Sequence, residues 1–362
     1  MERNSKKQNR YFGREIKNES LNIIPNLHSN EKKYDSQEEI NPKNKNTIKI
    51  KEKNYILLGR DIRKLKEKEI FEEGTDNKNK DNPQFLTEYS NSIMEHLKKT
   101  EIINIPNYKY LFKKQKTINI NQRTGVIHWM TSVCEKFSLF PETFYLSINI
   151  FDRYLEKNKL TQNNLQLISC SSMFIASKYE EIYAPELKDF IFISKYSISK
   201  NELLTTEYDI LKCLNFELLT VSPYIFLQRY YYICEELNQR IFFLAQYILD
   251  ICLTDIDFCI FNNSLKAATV LYLSRKILCK SNNYWNNTLR IYTSYSEKDL
   301  TDSSKVASKY VTSYINNKFS KNYKKSPIFI KYSRTKYECI SNYFDIYCSK
   351  EKKKKKDEEN DV

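Results

Sequence analysis

The chain has 362 residues, 41% of them hydrophobic, with only 4 glycines and 8 prolines. That length allows two or three domains, and so few turn formers argue against a sheet-rich fold and for helices joined by short loops. The net charge of +14 suits nucleic acid, an acidic partner or a nuclear address, and equally an Asn/Lys-rich compositional bias.

Residues 1–84 are rich in Asn, Lys and Glu, as in "NPKNKNTIKIKEKN" and "TDNKNKDNPQ". Such segments cannot bury enough surface to offset chain entropy, so disorder is expected, with a weak helix inside "LGRDIRKLKEKEIFEE". Order is expected to begin within 85–121, where Phe85, Tyr89, Ile93 and Leu97 fall at helical spacing. From 122 the helical pattern strengthens. "RTGVIHWMTSVCEKF" places Val126, Trp129, Val133 and Phe137 on one stripe. Pro141 suits the first turn of the next helix, which carries Phe144, Ile148, Phe151 and Leu155. Thr161 is positioned to cap "LQLISCSSMFIASKYEE". That helix is apolar or small nearly all round and should be surrounded by the others. "PELKDFIFI" is a short fourth helix, and Ser199 with Glu202 forms a capping box for the fifth, "NELLTTEYDILKCLNF".

A second set with the same rhythm follows "NFELLTVSPY": "SPYIFLQRYYYICEE", "NQRIFFLAQYILDICLTD", "NNSLKAATVLYLSRKILCK", "WNNTLRIYT" and "SEKDLTDSSKVASKYVTSYINNKF". Its third member is again apolar with small residues, Ala267 and Ala268. The expected architecture is therefore all-α: two tandem five-helix units at 122–218 and 219–320, preceded by a helix and connector. An extension at 321–345 and a charged, solvated tail at 346–362 follow.

Chemistry is harder to find. There is no Gly-rich phosphate loop, no G-x-S-x-G and no HExxH. Nine cysteines without a CxxC pair, and three histidines, fit buried thiols in a reducing compartment better than disulfides or zinc. His128, beside Trp129, has no nucleophile or carboxylate at a catalytic spacing and reads as structural or solvent-facing rather than catalytic. No apolar run reaches about 18 residues and no signal-peptide core opens the chain, so a soluble intracellular protein without membrane contact is expected. What stands out is "SKYEEIYAPE". There a buried helix switches abruptly to Lys178, Glu180 and Glu181, the mark of an interaction surface at the edge of a rigid scaffold.

The run from "RTGVIHWMTSVCEKF" through "IASKYEEIYAPELKDF" to "NELLTTEYDILKCLNFEL" resembles the first cyclin box of A- and B-type mitotic cyclins. "SLKAATVLYLSRKI", "YTSYSEKDL" and "FIKYSRTKYECIS" resemble the second box and C-terminal stretch of B-type cyclins. The resemblance covers about residues 85–345 and is strongest to the B type. It implies two stacked five-helix cyclin boxes and a non-catalytic regulatory subunit, without cofactor or metal. Such a subunit binds a cyclin-dependent serine/threonine kinase, positions its αC helix and acts in mitotic cell-cycle control. By motif, Lys178 and Glu207 would hydrogen-bond kinase backbone, and Glu180, Ile182 and Phe216 would border or fill that interface. Arg123 and Asp152 would form an ion pair joining the first two helices of the box.

The family's docking groove for Arg-x-Leu segments is diverged. Gln122 and Gly125 replace apolar residues and Ser132 stands where a glutamate is usual, while Trp129, Leu165 and Gln166 are kept. Weak Arg-x-Leu binding is the expectation. Residues 1–84 hold no Arg-x-x-Leu or Lys-Glu-Asn signal. Residence in nucleus and cytoplasm is expected, with Lys352 to Lys356 as a nuclear address or a solubilising tail. The alternative is a DNA-bound general transcription adaptor with the same doubled fold, to which the charge would lend phosphate contacts. It predicts basic residues clustered on the second repeat and usually an N-terminal zinc ribbon. The ribbon's paired cysteines are absent before Cys134 and "SKYEE" favours the cyclin resemblance, so nucleic acid is the less favoured partner.

Overall fold

The computed structural model describes residues 89–108, 115, 117–234, 238–279, 283–316 and 323–349. The expectations for 1–84, for Phe85 and for the tail beyond 349 lie outside the described residues. Among the described residues all regular structure is helical.

The first helix, α1 (Ser90–Thr100), departs from its expected face. Tyr89 and Ile93 are exposed, whereas Ser90 and Met94 are buried. The helix is turned so that Lys98 and Glu101 reach inward, and these polar contacts outweigh the short apolar stripe.

The first bundle comprises α2 (Ile120–Phe137), α3 (Pro141–Lys157), α4 (Gln162–Glu180), α5 (Leu187–Ile193) and α6 (Lys200–Cys213). Asn119 caps α2. Its side chain accepts from the Gln122 N–H at 2.9 Å, and the Gln122 side chain accepts from the Asn119 N–H at 2.8 Å, a reciprocal capping box. Pro141 occupies the first turn of α3, and Phe144, Ile148, Phe151 and Leu155 line its core face. Thr161 stands at the N-cap of α4 without a side-chain cap bond.

Every residue of α4 from Ile168 to Ser177 is buried, as expected of a surrounded helix. Serines are tolerated there because Ser169, Ser172 and Ser177 return their hydroxyls to carbonyls of the preceding turn at 2.6 to 2.9 Å. Small side chains also let α3 and α6 pack closely on it. Ser199 and Glu202 form the expected capping box of α6, with bonds of 3.2 and 2.8 Å.

The second bundle repeats the plan in α7 (Pro223–Ile233), α8 (Gln239–Cys252), α10 (Asn263–Leu278), α11 (Asn287–Thr293) and α12 (Leu300–Asn316). Its surrounded helix is α10, where Ser264 to Leu271 are all buried. A one-turn helix absent from the sequence reading, α9 (Ile256–Cys259), is started by the Asp255 side chain accepting from the Asp257 N–H at 3.3 Å.

The C-terminal extension forms α13 (Pro327–Tyr332) and a further helix over 340–349, which continues past the expected boundary at 345. α13 packs against α2 of the first bundle and α8 of the second. At that seam Asp250 of α8 is fully buried. It accepts from Tyr145 of α3 at 2.7 Å, and from Lys331 and Tyr332 of α13 at 2.8 and 2.7 Å. A second tie runs from Glu135 of α2 to Arg334 at 2.6 Å and the Tyr337 hydroxyl at 3.2 Å. All nine cysteines are free thiols. No helix among the described residues is long and apolar enough to cross a membrane.

Candidate functional site

The last turn of α4 leaves the core at Lys178. One turn earlier, Phe174 is still buried. The Lys178 ammonium lies 4.1 Å from the Phe174 ring centroid, a cation–π contact that carries the lysine stem to the surface. Across the α4–α6 packing it meets Glu207, and the two form an ion pair with Lys178 43% and Glu207 12% exposed. The sequence expectation directed both side chains at a partner's backbone. Here they satisfy each other because α4 and α6 are neighbours. The ammonium retains further N–H donors and the carboxylate a second oxygen, so the pair can also be shared with polar groups arriving from outside.

Glu181 has a different task. Its carboxylate accepts from the Phe140 N–H at 2.7 Å and the Thr143 hydroxyl at 2.5 Å, which caps the start of α3. Phe140, at the N-cap, has no side-chain acceptor of its own, and that local signal could have shown the need for an external one. Glu180 is half-buried, and its carboxyl is pushed up by desolvation first, then by the charges of Glu142 and Glu181.

Beyond these charges the surface is strongly apolar. Ile182 is 83% exposed, Tyr183 91%, Tyr179 50%, Phe216 64% and Leu219 68%. Tyr179, Phe216 and Leu219 join Ile103 and Thr100 around an open cavity of about 370 Å³. Side chains of this size left in water are a feature of binding surfaces, because covering them releases ~25 cal/mol per Å². Sequence reasoning named Phe216 and Ile182 but missed Tyr179 and Leu219, which flank them.

Arg123 and Asp152 are fully buried and pair in bidentate fashion, at 2.9 and 2.7 Å. The guanidinium also donates to the Leu253 carbonyl at 2.9 Å, so the pair ties α2 and α3 to the second bundle. Among the groove residues, Trp129 and Leu165 are buried, so their side chains are core rather than open surface. Gln166 donates to the Ser194 carbonyl at 3.4 Å, and Ser132 returns its hydroxyl to the His128 carbonyl at 3.2 Å. Gln122 is occupied in the α2 capping box, which accounts for a polar side chain at that position. A methyl group added at Gly125 would meet nothing within 4 Å, so the helix surface there is open.

His128 pairs with the Tyr314 hydroxyl of α12 at 3.2 Å, and burial pushes its imidazole down to about 4. Among the described residues no group of His, Cys, Asp and Glu is placed to hold a metal ion.

Residues 92–219 match the family described as "Cyclin, N-terminal domain", and residues 221–345 that described as "Cyclin, C-terminal domain". Together the two matches span well over half of the chain. The chain is 35% identical to Cyclin-A1-2 of Arabidopsis thaliana over 222 residues, 60% of this chain and 50% of that one. It is 35% identical to G2/mitotic-specific cyclin-B of Spisula solidissima over 266 residues, 74% of this chain and 60% of that one. Several of the curated A-type relatives are matched over only about half of their length. Among solved structures, a viral cyclin from herpesvirus saimiri shares the fold with a TM-score of 0.54 and 24% identity, covering 61% of this chain and 96% of that one.

Proposed function

Because the chain belongs to the cyclin family, we propose that it is a non-catalytic regulatory subunit that binds and activates a cyclin-dependent serine/threonine kinase and acts in mitotic cell-cycle control. The observation that carries this reading is the Lys178–Glu207 pair, set on two rigid helices and bordered by exposed Tyr179, Ile182 and Phe216. A kinase is switched on when its own Lys–Glu ion pair is formed. A cyclin that binds the active arrangement more tightly shifts the kinase toward it. Apolar side chains supply affinity on such a face, and the charged pair supplies register. A DNA-bound adaptor finds no support among the relatives named above.

The test is titration of the full chain against a recombinant cyclin-dependent kinase catalytic subunit, read as binding and as phosphate transfer to a peptide. Saturable activation is expected; absence of both binding and activation refutes the reading.

Substrate docking at the diverged groove is weak in this reading, because Gly125 offers no side chain and Gln122 is engaged in a helix cap. Gly125→Ile should tighten binding of a labelled Arg-x-Leu peptide about 10-fold, the worth of one regained aliphatic contact. Equal affinity before and after the change would discard weak docking. Residence in nucleus and cytoplasm is part of the same proposal, and deletion of residues 350–362 in a fluorescent fusion tests whether the lysine tail is the address.

A further inference from the structure

Three observations meet in the connector that follows α1. The helix is seated on the second bundle by polar groups. Lys98 donates to the Thr293 carbonyl at 2.8 Å, at the C-terminal end of α11. The buried Glu101 carboxylate accepts from the Ser264 N–H at 2.7 Å and its hydroxyl at 2.8 Å, at the start of α10. Three residues on, Asn104 adopts a left-handed backbone, φ 61°, a conformation that asparagine tolerates better than most residues. Its side chain donates to the Leu219 carbonyl at 3.0 Å and accepts from Arg153 at 2.9 Å, and its own carbonyl accepts from the Asn149 side chain at 2.9 Å. The same Arg153 guanidinium donates to the Glu217 carbonyl at 2.7 Å. One junction therefore holds both Glu217 and Leu219.

Those two carbonyls belong to the turn that presents Phe216. Asn215 and Phe216 are both left-handed, with φ of 54° and 59°. A phenylalanine keeps that conformation only where its surroundings enforce it. Phe216 is mostly exposed, so its backbone is held rather than its ring. Its N–H donates to the Leu211 carbonyl of α6 at 2.9 Å on one side, and the Asn104–Arg153 junction holds the carbonyls of Glu217 and Leu219 on the other.

We infer that residues 98–104 form a strap through which the second bundle sets the Phe216 turn, with Asn104 and Arg153 as positioning residues for the partner-binding face. The mechanical coupling stands on the contacts above, and its functional consequence rests on the kinase-binding reading. Anything that lifts α1 from its seat frees the turn. By linkage, a partner that requires Phe216 in place also holds α1 down.

Two variants of the full chain separate the strap from its ends. Asn104→Gly keeps the left-handed backbone and removes both side-chain bonds. Lys98→Met with Glu101→Gln disturbs only the seat on the second bundle. Amide exchange over residues 215–220 should quicken about tenfold in both, while the core amides of α8 stay at wild-type rates. If the double variant loses its helical circular dichroism, Lys98→Met alone carries the same expectation. Unchanged exchange at 215–220 in a folded seat variant overturns the strap. Against the recombinant kinase subunit, Asn104→Gly should bind about tenfold more weakly, and wild-type affinity would overturn the positioning role. Failure of the unaltered chain to bind refutes the kinase reading instead, and the exchange rates then decide the strap.

Discussion

Lys178 and Glu207 restrain each other across α4 and α6, so the free chain holds both charges in place before any partner arrives. An exposed pair of this kind contributes ~0–1 kcal/mol to folding. In a desolvated interface, removing one member of a charged contact costs about 2–5 kcal/mol. The double change Lys178→Glu with Glu207→Ala should therefore abolish kinase activation while the melting temperature and circular dichroism stay near wild type. Full activation by the folded variant would reject this face as the interface. At Gly125 the expectation is a gain. Its added methyl meets open space, so Gly125→Ala should raise the unfolding free energy by about 0.5–1 kcal/mol in urea titration, through helix propensity alone. Residues such as Ser199 and Glu202 were legible in the sequence because a cap and its partner lie three residues apart. Asn119 and Gln122 carry the same local signal and were legible too, but the reading of Gln122 as a groove residue passed over it. The meeting of Lys178 with Glu207, and of Glu181 with the start of α3, was not legible, since nothing local specifies which helices become neighbours.

Helix periodicity identified the surrounded helices α4 and α10, because a helix buried on every side must be apolar or small on every side. It failed for α1, where a short apolar stripe was outweighed by two ionisable groups that hydrogen-bond to the second bundle. It also missed α9, a single turn too short to show a period. The contact of α2 with α12 through His128 and Tyr314 has a pH signature. His128 titrates near 4 in the folded chain and ~6.5 when unfolded. The unfolded state therefore binds the proton more readily. The stability from neutral His128 is complete above pH ~6.5 and is lost as pH falls toward ~4, a loss on the order of 3 kcal/mol. His128→Gln should flatten the wild-type dependence of unfolding free energy between those limits, and parallel curves for the two proteins would contradict the assignment.

At the scale of the whole molecule, the two bundles and the C-terminal extension converge on one carboxylate. Asp250 accepts bonds from α3 and α13 together, so its removal strands a buried ammonium and two phenols. Asp250→Ala should cost about 3–5 kcal/mol, because a lone buried charge is penalised far more than a pair rewards. Adding Lys331→Met should recover part of that loss, a non-additivity that a double-mutant cycle in urea would measure. Strict additivity would show that the two groups act independently. The sequence showed "FIKYS" as a family-like stretch but not that its lysine and tyrosine complete a site shared by both bundles, because the residues lie 81 and 82 positions from Asp250. The same feature bears on synthesis. Asp250 leaves the ribosome well before Lys331 and Tyr332, so the growing polypeptide must keep that carboxylate in water until α13 emerges. A translation product broken off before residue 331 thus carries an anion with no cationic partner at its seam. It should be cleared by proteases as incomplete rather than accumulate as a competing half-functional subunit.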